Sequence, residues 1–127
     1  MPLEPFFADL LSRFTDPEFV PWLDPSFDAR VNPYLPPAVE VHSTAVPGPA
    51  GSIPVRVYSP EAPSELPRAC LLWFHGGAFI GGGLDMPEAD FVSREIAHRA
   101  DCVVVSVDYR LCTEEVRFPA PQEDAFA

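Results

Sequence analysis

Leu71-Leu72-Trp73-Phe74-His75-Gly76-Gly77-Ala78-Phe79-Ile80-Gly81-Gly82-Gly83 is the stretch on which the reading of this 127-residue chain turns. An unbroken apolar run of strand length stops at a histidine, two glycines follow at once, and three more close the segment. Continuous apolar runs mark strands covered on both faces, where half-exposed strands would alternate. Backbone N–H groups approach a negatively charged oxygen closely only where no side chain stands in the way. Gly76 and Gly77 meet that condition, so the segment reads as a buried strand that empties into an oxyanion-binding loop. No G-x-S-x-G occurs anywhere in the chain, so the nucleophile that such a loop serves lies outside it. The expectation is the front part of an enzyme.

Working outward, Asp85-Met86-Pro87-Glu88 carries a capping residue, a proline for the first turn and a carboxylate three residues after the cap, which predicts a helix start. Ala89, Val92, Ile96 and Ala100 form its apolar stripe, and the helix ends near Asp101. A second continuous run, Cys102 to Val107, pairs naturally with Ala69 to Phe74 as two central parallel strands, giving a right-handed βαβ unit. Upstream, Val39, Val41, Ile53, Val55 and Val57 alternate with polar residues around Pro47 to Ser52, the pattern of a hairpin. Pro119 to Ala127 opens another helix, with Glu123 and Asp124 in its first turn. Residues 1–38 read as an apolar, proline-rich arm in which Leu3, Phe7, Leu10, Leu11 and Phe14 fall at helical spacing before Asp16 and Pro17. Two parallel strands and one hairpin leave an apolar edge and an uncovered face, so the core over 39–127 is expected to be incomplete.

Composition excludes several function classes. Hydrophobic residues make up 47% of the chain and aromatics 12%, enough for a packed core. Eight Lys plus Arg against 19 Asp plus Glu leave a formal charge of −11, which argues against nucleic acid, because phosphate contacts need clustered cations. Three cysteines, Cys70, Cys102 and Cys112, show no short spacing and read as buried free thiols, not a disulfide frame or a zinc site. The N-terminus has no basic region followed by an apolar one, and no run approaches 18 apolar residues, so a soluble, cytoplasmic protein with no membrane partner is expected.

Three segments, in this order, resemble the α/β-hydrolases of the hormone-sensitive-lipase type, the fold-3 carboxylesterases. Phe74 to Gly82 (FHGGAFIGG) is similar to their HGGG oxyanion motif, Val104 to Leu111 (VVSVDYRL) to the strand and turn ending in D-Y-R-L, and Phe118 to Ala127 to their FPA-x-x-x-D-A helix start. The resemblance covers roughly Val39 to the C-terminus, and the arm over 1–38 would correspond to part of the cap that closes over the substrate pocket. It implies the N-terminal portion of an α/β-hydrolase fold: a hairpin plus parallel strands with a crossover helix, truncated. It also implies that the N–H groups of Gly76 and Gly77 form the oxyanion hole while His75 holds the loop and does not act as base. Ala78 replaces the third glycine of the motif, at a position where positive φ is wanted. Cys112-Thr113-Glu114-Glu115 stands where relatives read A-P-E, which alters the local loop.

Other residues weigh less. A dinucleotide site would need G-x-G-x-x-G at the strand end, and His75-Gly76-Gly77-Ala78 does not supply it. Asp108 and Arg110 read as a structural ion pair fixing the turn after the strand, and Tyr109 as packed, not reactive. His42 and His98 have no serine or carboxylate at motif spacing. The triad order in α/β-hydrolases is Ser, Asp or Glu, then His, all beyond the segments present here.

The resulting expectation is part of a serine hydrolase cleaving small-molecule carboxylic esters of short to medium acyl chain. It carries the oxyanion loop but not the triad, needs no metal or organic cofactor, and is inactive alone; the full-length protein is a possible homodimer. The alternative is a non-catalytic ligand-binding protein, or an inactive fragment, on the same scaffold.

Overall fold

The computed structural model describes residues 34–127, and the helix expected before Asp16, with most of the arm over 1–38, lies outside the described residues. Within the compact unit Pro36–Ala127 the elements run β1 (Glu40–Gly48), β2 (Gly51–Ser59), β3 (Cys70–Phe74), α1 (Pro87–Ala100), β4 (Val103–Val107) and α2 (Ala120–Ala125). They form a mixed four-stranded sheet in the order β1-β2-β4-β3.

The hairpin is tighter than its alternation suggests. β1 and β2 pair antiparallel down to Gly48 opposite Gly51, so only Pro49 and Ala50 turn the chain. Pro47 is tolerated because β1 lies at the sheet edge, where a missing N–H costs no ladder bond. β4 lies in the interior, antiparallel to β2 (Val55 opposite Val107) and parallel to β3 (Phe74 opposite Val107). β3, by contrast, is the outer strand of the described sheet, and Leu72 is 55% exposed. The expectation of two central strands therefore holds for β4 alone. An unbroken apolar run reports that a strand needs cover; it does not report which neighbour provides it, and the described residues place no strand beyond β3.

Core residues gather in two clusters. Val104 and Tyr58, both fully buried, pack with Val39, Cys102 and Ala97 of α1. The residues that alternate with them along the strands, Val55 and Val107, join Ile53 and Tyr109 in the second cluster. The buried stripe of α1 is Ala89, Ser93 and Ala97, one residue round from the expected stripe; Val92 and Ile96 flank it and Ala100 is exposed. Small side chains on this line let the helix lie close to the sheet while the larger ones fill the sides. Tyr58 donates its hydroxyl to Asp90 at 3.0 Å, and Arg94 reaches the same carboxylate at 2.8 Å, tying β2 to α1. Burial, with the Asp90 charge adding to it, pushes the Tyr58 phenol up to about 12.

Both ends of α1 can be checked against the sequence reading. Its N-cap is Met86 with no side-chain cap, since Asp85 turns instead to Arg56 at 2.7 Å. Its C-terminus falls as expected, with Asp101 in the left-handed region (φ 47°) and its N–H donated to the Ala97 carbonyl. Of the cysteines only Cys102 is buried; Cys70 is exposed because it opens the outer strand, and Cys112 is half-buried. No helix among the described residues is long and apolar enough to cross a membrane.

Candidate active site

Parallel pairing of β3 and β4 decides what meets at their C-terminal ends. With Phe74 opposite Val107, the next residues of the two strands, His75 and Asp108, leave the sheet side by side. His75 is only 3% exposed. Its ring stacks on Tyr109, centroids 4.3 Å apart and planes 10° from parallel, and the Tyr109 hydroxyl donates to the His75 carbonyl at 2.7 Å. Nδ1 lies 2.8 Å from the Gly76 carbonyl oxygen, an acceptor, so this nitrogen carries a proton. Nε2 is buried without a hydrogen bond, 3.8 Å from an Asp108 carboxylate oxygen. Tyr109 is thus packed, as expected, and its phenol is pushed up by burial first and then by the charges of Glu88 and Asp108.

The loop after His75 depends on backbone freedom. Gly77 has φ 121°, and a Cβ there would stand 2.0 Å from the Gly81 carbonyl oxygen. That closeness is needed because the Gly77 carbonyl accepts the N–H groups of both Ile80 and Gly81, at 3.0 and 3.1 Å. Ala78 and Phe79 follow with φ 55° and 66°, so the alanine that replaces a third glycine does occupy the left-handed region. The loop is tied down beyond the turn, where Cys112 N–H donates to the Phe79 carbonyl at 2.6 Å. Gly76 N–H donates to a Glu88 carboxylate oxygen at 3.3 Å, whereas the Gly77 N–H meets no acceptor among the described residues.

Beside the loop is a hollow of about 430 Å³, lined by Phe74, His75, Gly76, Ala78, Phe79 and Tyr109, and by Pro121, Gln122 and Ala125 of α2. His75, Gly76 and Ala78 therefore border one concave, largely apolar space, with Gly77 in the chain between them. His42 and His98 are exposed on β1 and on the last turn of α1 and take no part.

An ion pair holds the far wall, and it is not the expected one. Arg110 pairs with Asp124 at 2.8 Å, not with Asp108, and its backbone N–H donates to the same carboxylate at 2.9 Å. Asp108 and Arg110 flank the buried Tyr109, so their backbones carry them to different neighbours: Asp108 toward His75, Arg110 toward α2. The Arg110 guanidinium holds the Asp124 carboxyl below the usual carboxylate range. The sequence places Asp124 in the first turn of this helix and in the FPA-x-x-x-D-A motif, but in the structure only Glu123 lies in the first turn, and the Arg110 partner, 14 residues away, leaves no local signal.

Comparison with known proteins places this arrangement. Residues 71–127 match the family model of the α/β hydrolase fold. Esterase LipI of Mycobacterium tuberculosis is 45% identical over 92 residues, covering 72% of this chain and 28% of LipI. The acetyl esterase of Salmonella schwarzengrund is 32% identical over 125 residues, which is 91% of this chain and 37% of that enzyme. Among solved structures, the hyperthermophilic esterase of Pyrobaculum calidifontis superposes with a TM-score of 0.72 at 32% identity, over 99% of this chain and 42% of the esterase. The chain thus spans well under half the length of the relatives it matches.

Proposed function

We propose that this chain, which belongs to the carboxylesterase-like α/β hydrolase family, supplies the oxyanion-binding side of a serine esterase acting on small carboxylic esters of short to medium acyl chain. The observation that carries the reading is the His75-Gly76-Gly77 loop at the end of a parallel strand, bordering an apolar hollow. When a serine oxygen adds to the ester carbonyl, the carbonyl oxygen gains a full negative charge. Fixed amide donors at the loop stabilise that charge more than they stabilise the ground-state carbonyl, and each is worth about 3 kcal/mol of barrier. The Gly77 N–H is unpaired and ready for this. The Gly76 N–H becomes available when the exposed Glu88 side chain swings off it.

His75 has no part in proton transfer to the ester on this reading. Its Nδ1 is committed to the Gly76 carbonyl and its ring is sandwiched against Tyr109, so it holds the loop's shape. Phe74, Phe79 and Tyr109 offer apolar surface to the acyl or alcohol group and keep water from the reacting carbon. Nucleophile, base and orienting acid come from residues outside this sequence. The relatives named as esterases support this assignment of chemistry.

The test has two arms. The 127-residue chain by itself is expected to leave p-nitrophenyl butyrate unhydrolysed above buffer. The same chain fused to the C-terminal remainder of LipI is expected to hydrolyse it. Turnover by pure, correctly sized chain alone would overturn the division of labour, and an inactive but folded fusion would favour a non-catalytic binding role.

A further inference from the structure

Of the polar side chains on the oxyanion loop and on the turn after β4, only His75 has a buried atom without a hydrogen bond. Nε2 of His75 is fully buried, makes no hydrogen bond, and lies 3.8 Å from Asp108. Because Nδ1 must carry hydrogen to meet the Gly76 carbonyl, a neutral His75 turns the bare lone pair of Nε2 toward a carboxylate. That is a buried acceptor facing an anion, an unfavourable arrangement on both electrostatic and hydrogen-bonding grounds. A second proton on the ring reverses both: Nε2 becomes a donor, and Asp108 is the acceptor at hand.

We propose that Asp108 is a positioning residue for the oxyanion loop, acting through His75: proton uptake at Nε2 converts the 3.8 Å approach into a charged hydrogen bond that fixes the His75-Gly76 peptide. The step moves one proton from solvent to Nε2 and breaks no covalent bond. The charged and titratable groups facing the ring come from two elements besides its own. Asp108 and the Tyr109 phenol lie on the turn after β4, and Glu88 of α1 reaches the loop through the Gly76 N–H. Arg110 is directed away, to Asp124. Asp108 is therefore the carboxylate within 4 Å of a ring nitrogen among the described residues. The consequence for catalysis rests on Gly76 and Gly77 being oxyanion donors, but the coupling itself is read without any ester.

The experiment is ¹⁵N NMR of the 127-residue chain across the histidine range, roughly pH 5 to 8. In the wild type, the Nε2 resonance of His75 is expected to shift to its protonated position together with the Gly76 and Gly77 amide resonances. Asp108→Asn is expected to remove the pH dependence of the two amides and Asp108→Glu to restore it. Glycine amides that stay still while the His75 ring titrates in the wild type would overturn the proposal, even if neither variant folds. So would a folded Asp108→Asn chain whose amides follow pH as the wild type's do. Failure of ester hydrolysis in the fusion leaves this readout untouched, so the two readings fail separately.

Discussion

The turns that leave the two parallel strands solve opposite problems with opposite materials. After β3 the chain gives up side chains: Gly77 curls tightly, Ala78 and Phe79 sit in the left-handed region, and an amide is left unpaired. After β4 it uses side chains for everything: Asp108 faces His75, Tyr109 stacks on that ring and grips its carbonyl, and Arg110 clamps α2 through Asp124. The first turn costs conformational entropy and strain, and the second returns fixed contacts beside it. The comparison teaches that an exposed amide is kept in place by its neighbour in the sheet, not by its own loop.

Breaking the comparison at its most sensitive point means giving the first turn a side chain. In the LipI fusion, Gly77→Val is expected to lower kcat by about 10²- to 10³-fold, the loss typical of removing an oxyanion donor. Its Cβ would collide with the Gly81 carbonyl oxygen at 2.0 Å, and backbone cannot step aside as a flexible side chain can. Gly81→Ala is the internal control, because nothing lies within 4 Å of a Cβ there. Steady-state kinetics on p-nitrophenyl butyrate separates the two, and equal losses would show that the loop tolerates no change anywhere.

The second turn is tested by removing its clamp. Asp124→Asn is expected to lower Tm by roughly 5–10 °C at neutral pH, a span set by the small size of the domain. Arg110 depresses the folded-state pKa of Asp124, so its contribution is complete above the ordinary carboxylate value of about 3.9 and disappears as pH falls through the folded value. Wild-type and variant melting temperatures are therefore expected to converge on acidification. Thermal melts at neutral and strongly acid pH check this, and a constant gap would assign the effect to something other than the ion pair.

The same contrast explains what sequence reading reached. The glycine turn was legible because its requirement is local: two residues without Cβ after an apolar run already state the geometry. The hairpin and the end of α1 at Asp101 were legible for the same reason. The clamp was not, since Arg110 and Asp124 meet only after the intervening chain has folded back. Asp85 looked like a cap until Arg56, 29 residues away, claimed it. The outer position of β3 was hidden too, because hydrophobicity encodes a need for cover and not the identity of the neighbour.

The smallest expected effect sharpens the comparison at Ala78. This residue holds φ 55° without the freedom of glycine, and a non-glycine residue in the left-handed region costs roughly 1–2 kcal/mol. Ala78→Gly removes that strain but adds conformational freedom to the unfolded chain, which takes back a good part of the gain. The balance is a stabilisation of about 0.5 kcal/mol, measured by urea denaturation with an unchanged m-value. The contacts that hold the loop from the second turn, Tyr109 on His75 and Cys112 on Phe79, persist in both variants, so the difference isolates the strain at Ala78 less the added freedom of the unfolded chain, and a destabilised glycine variant would show that Ala78 carries no net strain.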